Sequence, residues 1–273
     1  MAPLGLSDAP QELIDEIIDR CSADKRTLVA CSLISRAWVS RTRKYLFSKL
    51  TLTDKTLPLW CGIVVGPTTP RKLNSYPSPS SPRPLSRLSP YVTSLQLALK
   101  TTSQGVFGAG QLLQAGSHLS AFTNLKSFTL TAVSFLGFND ASLKACFGSL
   151  AGGVSELKLW VCSLDQGRLF GILRLFVRLE SLEIHGGVWE RNRSAGKDLP
   201  TLRGSFMASQ FTDKNCGLLK SLATTEVEYH TITLGRNLLS TFPEFNALLV
   251  KCKNHLKTLS LTSPECDLPS TSN

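Results

Sequence analysis

The spacing of apolar residues changes character once along this chain. Near the start, Leu13, Ile14, Ile17 and Ile18 fall at i, i+1, i+4 and i+5, while Glu12, Asp15, Glu16 and Asp19 take the opposite face. That pattern predicts an amphipathic helix. Asp8 is placed to cap it, Pro10 suits its first turn because the missing N–H costs nothing there, and Gln11 lies three residues after the cap. A second apolar stretch, LVACSLISRAW from Leu28 to Trp38, predicts another helix, and three short helices are expected between about Pro10 and Phe47. So small a unit buries little apolar surface alone, because domains below about 40 residues usually need a partner, a metal or disulfides. The stripe must therefore pack on a partner or on the rest of the chain.

From Val92 onward the apolar positions alternate instead. The pattern apolar-x-x-apolar-x-apolar recurs at Val92/Leu95/Leu97, Leu125/Phe128/Leu130, Val154/Leu157/Leu159, Leu179/Leu182/Ile184, Tyr229/Ile232/Leu234 and Leu256/Leu259/Leu261. Its central residues are separated by 33, 29, 25, 50 and 27 positions, and the gap of 50 reads as two periods with Leu199/Leu202 as a degraded copy between them. Helix-like apolar segments fill the intervals, as at Leu143 to Leu150, Leu169 to Phe176 and Phe245 to Leu256. One short strand recurring every 25 to 30 residues or so is the signature of leucine-rich repeats. The usual asparagine after each strand is missing, with Val133 to Phe135, Cys162 and Gly187 in that region, so a plain α/β sandwich of βα units stays open as an alternative. The expected fold class is α/β. A small helical unit over 8–50 precedes a leucine-rich-repeat-like solenoid of short parallel strands over 91–263.

Between them, Gly66 to Pro90 holds seven of the chain's fourteen prolines among serines, with little to bury. Residues 66–90 are expected to be a linker, or else a long loop inserted in one domain.

The N-terminal unit resembles an F-box. In that family a Leu-Pro-x-Glu-Leu start leads to an isoleucine four residues on, and an apolar helix then closes with Arg-x-Trp. Pro10, Glu12, Leu13, Ile17, Leu28, Leu33, Ile34, Arg36 and Trp38 occupy those positions, while Ala9 and Cys21 stand where the family usually has leucine. With the irregular repeats and phrases such as FTNLKSFTL and NHLKTLSL, the whole chain is similar to F-box proteins abundant in mushroom-forming fungi. The resemblance implies a substrate-recognition subunit of a Skp–cullin–F-box ubiquitin ligase. The implied adaptor-binding residues are Pro10, Leu13, Ile14, Ile17, Ile18, Leu28, Leu33, Ile34 and Trp38, and the implied partners are a Skp-family adaptor, a cullin scaffold and a target protein. The alternative is a repeat protein that binds a protein or polyanion outside any ligase.

Composition narrows the field only in part. A net charge of +10 raises the question of nucleic acid, with Arg36, Arg41, Arg43, Lys44 and Lys49 as the densest cluster and Arg71, Lys72, Arg83 and Arg87 as a looser one. No aromatic residues alternate with either cluster to stack bases, which argues against specific nucleic-acid binding. The eight cysteines are scattered singly without C-x-x-C spacing, and read as reduced, mostly buried residues. No secretory leader and no apolar run of membrane-spanning length stands out, so the expected location is cytoplasmic or nuclear, away from a membrane.

Catalytic motifs are equally sparse. His118, His185, His230 and His255 are far apart, and neither a G-x-S-x-G elbow nor a phosphate-binding glycine loop occurs. The expectation is a protein with no catalytic residue, no cofactor and no metal. A hydrolase assembled from distant residues is a third reading, since such sites are recognised by geometry. Alternation in the repeat strands sends Ser94/Gln96, Ser127/Thr129, Thr231/Thr233 and Thr258/Ser260 to one concave face. The middle of that face is expected to hold the target site, with Trp160 amid Glu156, Lys158, Glu183 and His185. Folding of Trp160 under a neighbouring loop is the competing reading.

Overall fold

The computed structural model describes residues 9–61, 88–99, 109–135, 137–162, 164–186, 189–190, 201–209, 219, 222–235 and 242–262. Asp8, Gly187, Leu199 and all of the expected linker before Leu88 lie outside these residues. Among them the fold is mixed α/β, with eight α-helices and one eight-stranded parallel sheet.

Three helices open the chain: α1 (Gln11–Arg20), α2 (Lys25–Ile34) and α3 (Arg36–Leu46). Pro10 stands at the N-cap of α1 rather than inside its first turn, and its carbonyl accepts the N–H groups of Leu13 and Ile14 at 3.1 and 3.2 Å. Asp24 caps α2, accepting from the Arg26 N–H at 2.9 Å and the Thr27 hydroxyl at 2.6 Å. Ile14, Ile18, Leu28, Cys31 and Trp38 close a small core of their own, fringed by Ala9, Cys21, Tyr45 and Leu46. On its rim Asp19 accepts from Arg41 Nε at 2.7 Å and Nη2 at 2.5 Å and from the Tyr45 hydroxyl at 2.8 Å, tying α1 to α3. Those bonds, from Arg41 first and Tyr45 second, hold the Asp19 carboxyl down to about 2.

The sheet strands are β1 (Lys49–Thr53), β2 (Ser94–Ala98), β3 (Ser127–Thr131), β4 (Glu156–Trp160), β6 (Ser181–His185), β8 (Leu202–Ser209), β9 (Val227–Gly235) and β10 (Thr258–Thr262), in that spatial order and all parallel. A separate pair joins β5 (Leu164–Asp165) to β7 (Trp189–Glu190). Every sheet neighbour is thus the next sheet strand along the chain. The register aligns Leu50, Leu95, Phe128, Leu157, Leu182, Phe206, Ile232 and Leu259 in one row.

All six strands expected from the repeating pattern are present, and two more join them. β1 starts within the last two residues of the helical unit expected over 8–50 and runs past it, so the sheet begins at Lys49 rather than after residue 90. The degraded copy is β8, but its centre is Phe206, not Leu202, 24 residues after Leu182 and 26 before Ile232. β8 pairs with β6 only from Ser205 onward, and its pairing with β9 shifts by one residue between Gly204 and Ser205, so Leu202 lies before the stretch that joins the row. Gly204 has φ +85°, and a Cβ there would lie 1.8 Å from the Glu180 carbonyl oxygen, so only glycine fits.

Helices α4 (Thr56–Cys61), α5 (Ala109–Leu119), α6 (Asp140–Ala151), α7 (Gln166–Leu175) and α8 (Phe242–Cys252) lie in the connections, where the return limbs were expected. Asn139 and Asp165 cap α6 and α7 by accepting the N–H groups of Ser142 and Arg168 at 2.8 and 2.7 Å. Helices α5, α6 and α7 pack side by side, and α5 meets α6 so closely that a Cβ on Gly116 would sit 2.8 Å from the Cys146 Cα. Beneath them Phe128, Phe135, Phe138, Phe147 and Phe176 form a chain of ring contacts with centroids 5.4 to 6.3 Å apart. The sheet's two ends differ. Leu52 on β1 is 1% exposed, whereas Leu259 and Leu261 on β10 are 46% and 55% exposed.

Candidate functional site

The first candidate surface is the outside of the helical unit. Of the nine residues expected to meet an adaptor, Ile14, Ile18, Leu28 and Trp38 are buried in the unit's own core, so their side chains have no surface to offer. Pro10 is exposed at the helix start, and Leu13, Ile17, Leu33 and Ile34 are exposed, Leu33 to 82%. Val29, absent from the expected contact set, is exposed as well. Leu13/Ile17 on α1 and Val29/Leu33 on α2 are i, i+4 pairs, each lying along one helix face. Five large aliphatic side chains thus lie on the outside of this small unit.

The second candidate is the sheet face opposite the helices. Alternation places Glu156, Lys158 and Trp160 of β4 directly beside Ser181, Glu183 and His185 of β6, so the five expected target residues share one patch. Lys158 Nζ lies 2.9 Å from Glu183 and 3.2 Å from Glu156. Glu183 also accepts from His185 Nε2. Burial raises the Glu183 pKa, but the His185 and Lys158 hydrogen bonds outweigh it and bring the carboxyl to about 2. An ionised Glu183 makes Nε2 the donor, which leaves Nδ1 of a neutral imidazole to accept from Ser209 Oγ, 2.5 Å away. Burial depresses the Lys158 ammonium, yet its two carboxylate partners leave its pKa raised.

Trp160 is half-buried and meets His185 edge-to-face, ring centroids 5.1 Å apart at 71°, and its shielded Nε1–H has no hydrogen-bond partner among the described residues. Val161, the next residue, has φ +53°, a strained conformation for a β-branched residue, and its side chain is exposed. Ser209 and Val161 were not among the expected site residues.

Ser209, His185 and Glu183 occur in the order hydroxyl, imidazole, carboxylate that hydrolases use. Here the contacts follow from the sheet itself: Ser209 is the cross-strand neighbour of His185, and Glu183 is two residues before it. The Gly186 N–H beside them bonds the Ser209 carbonyl at 3.0 Å and is not available to an oxyanion. Among the described residues no group of three or more His, Cys, Asp or Glu side chains gathers as a metal site. No helix among them is long and apolar enough to cross a membrane.

A third feature joins the two units. A groove of about 750 Å³ runs between α1 and α3 on one side and the segments leading into β2 and β3 on the other, and Arg36, Lys44 and Lys126 line it. Arg41 also lines it but is tied to Asp19 and, at 3.8 Å, Asp15.

No protein-family model matches the chain, and no curated protein matches it.

Proposed function

We propose that this chain is a non-catalytic receptor of the F-box type, in which α1 and α2 dock on a Skp-family adaptor and the sheet holds a target protein near a cullin scaffold. The observation that carries the reading is the exposure of Leu13, Ile17, Leu33 and Ile34, four of the resemblance's motif positions, outside a core already closed by Ile14, Ile18, Leu28 and Trp38. A unit that completes its core and still presents aliphatic side chains has burial left to gain from a partner. The contact set is therefore revised to Pro10, Leu13, Ile17, Val29, Leu33 and Ile34.

We read the sheet as an irregular leucine-rich-repeat solenoid. Its strands follow one another in sequence order, and Val154, Leu157, Leu159, Cys162 and Leu164 fit the repeat spacing with cysteine in the asparagine position. The buried Cys162 thiol supports this by donating to the Leu130 carbonyl at 3.4 Å, a bond from one repeat to the next of the kind an asparagine would make. Burial pushes that thiol's pKa up to about 12, so it stays protonated and can keep donating. The patch at Glu156, Lys158, Trp160, Glu183 and His185 is then the target site, and its mechanism is proximity: a bound target gains effective concentration near a ubiquitin-charged enzyme.

The test is capture of a Skp-family adaptor by the full chain and by a Leu13→Asp, Ile17→Asp double variant. Each buried aliphatic contributes about 1.5 to 3 kcal/mol, so the variant should lose the adaptor while its circular dichroism and melting stay unchanged. Undiminished capture would sink the ligase reading. The second reading, a polyanion-binding repeat protein outside any ligase, draws on the Arg36, Lys44 and Lys126 groove. It predicts no adaptor capture by the unaltered chain.

A further inference from the structure

The two ends of the parallel sheet have been finished differently. At β1 the core row is covered, with Leu52 and Leu57 of α4 both buried. At β10 the same row stands open: Leu259 and Leu261 pair in register with the buried Ile232 and Leu234, yet each is about half exposed. β10 is the last strand of the sheet, and its outer edge has no strand neighbour among the described residues. Such an edge is a ready template for another strand unless charge or proline blunts it. Thr258 to Thr262 contains neither.

The sequence of β10 identifies what fits there. It reads Thr-Leu-Ser-Leu-Thr, the same in both directions about Ser260. Under antiparallel pairing on a two-fold axis through Ser260, Thr258 falls opposite Thr262, Leu259 opposite Leu261, and Ser260 opposite its own copy. Residues directly opposite in an antiparallel pair share a sheet face, so the leucines of both copies meet on the helix side and the hydroxyl residues meet on the other. The segment Ser263 to Asn273 is a poor competitor for this edge, since its one large aliphatic residue, Leu268, lies between Pro264 and Pro269, which lack strand donors.

We propose that β10 is a self-association edge, through which two copies of this chain join antiparallel into one continuous sheet with a closed two-fold interface. The alternative stacking of β10 on β1 of a second copy would be parallel and open-ended, and would set the exposed leucines against a row that is already covered. A five-residue edge buries less than a standard interface, so the dimer is weak and concentration-dependent. Self-association of this kind involves the sheet alone and is independent of adaptor binding.

Sedimentation of the full chain across micromolar concentrations, together with mild oxidation of a Ser260→Cys variant, tests it. The unaltered chain should pass from monomer to dimer. Ser260→Cys should give a covalent dimer well above the background from the native cysteines, because the two-fold axis brings that position against itself. Adding Leu261→Lys should weaken association at least about tenfold and remove the cross-link, with circular dichroism unchanged. A chain that stays monomeric at every concentration while Ser260→Cys fails to cross-link would overturn the proposal. So would growth into open-ended assemblies while the Ser260→Cys variant gives no covalent dimer, which would point to β10 on β1.

Discussion

The helical unit and the sheet handle apolar side chains in opposite ways. In α1 to α3, five residues close a core while Leu13, Ile17, Val29, Leu33 and Ile34 remain outside it. In the sheet the apolar row is buried from β2 to β9, with Leu50 of β1 partly buried, and the open face carries serine, threonine and a charged patch whose members bond one another. Both segments are rich in aliphatic residues, so composition alone does not distinguish them. The difference lies in thickness: two layers bury a row completely, whereas three short helices have an outside almost as large as their inside. An exposed leucine therefore means different things in the two regions. On the helical unit it is, under the proposed function, an offered contact, and on the sheet it marks the uncovered end at β10.

This contrast can be broken from either side. The largest effect is expected from Gly204→Ala, whose Cβ has no room beside the Glu180 carbonyl and whose backbone is left-handed. It should cost more than about 4 kcal/mol, lowering the sheet's melting temperature while amide exchange in α1 to α3 stays as it was. Trp38→Ala is the reciprocal experiment. Removing the largest member of the five-residue core should cost about 3 kcal/mol, loosening α1 to α3 in hydrogen exchange without moving the sheet's melting point. A common response of both regions to either substitution would show one cooperative unit instead of two.

The smallest effect sharpens the comparison through pH. Glu183 falls from 4.5 to about 2 on folding, so its contribution is fully present above pH 4.5 and is lost as pH drops toward 2. The stake is at most about 3 kcal/mol, read as a fall in melting temperature across that window that Glu183→Gln lacks. Asp19 in the helical unit is lowered to the same range by Arg41 and Tyr45, but it faces solvent. Added salt should weaken the Asp19 pairing more than the Glu183 cluster.

Much of the sheet is legible in the sequence because alternation is local: Leu95, Leu157 and Leu182 announce their strands without help from distant residues. β1 escapes that reading although Phe47, Leu50 and Leu52 fit the same pattern, because Phe47 also closes the helical stretch. β8 is displaced from its expected centre because Arg203 and Ala208 stand at the positions where large apolar residues mark the other strands. On α1 the stripe from Leu13 to Ile18 is too wide for one helix face to bury. Spacing shows the width but not which half turns inward, so it does not separate the buried Ile14 and Ile18 from the exposed Leu13 and Ile17. The Trp160 patch could be expected from alternation alone, and register then set it beside His185. Ser209 and Lys126 reach their sites only through the sheet's register and the packing of α3, which no local pattern encodes.

The aligned register also sets how the molecule assembles and comes apart. Each strand pairs with the one before it, so from β2 to β10 a new pairing spans only 24 to 33 residues, the β1–β2 pairing spans 45, and no step closes a loop of the whole chain. The phenylalanine contacts under β3 and β4 make the middle the natural nucleus, with growth toward both margins. Opening should run the other way. β10, with no outer strand neighbour among the described residues and with both leucines half exposed, should be the first strand to fray, and amide protection should rise stepwise from it toward β4.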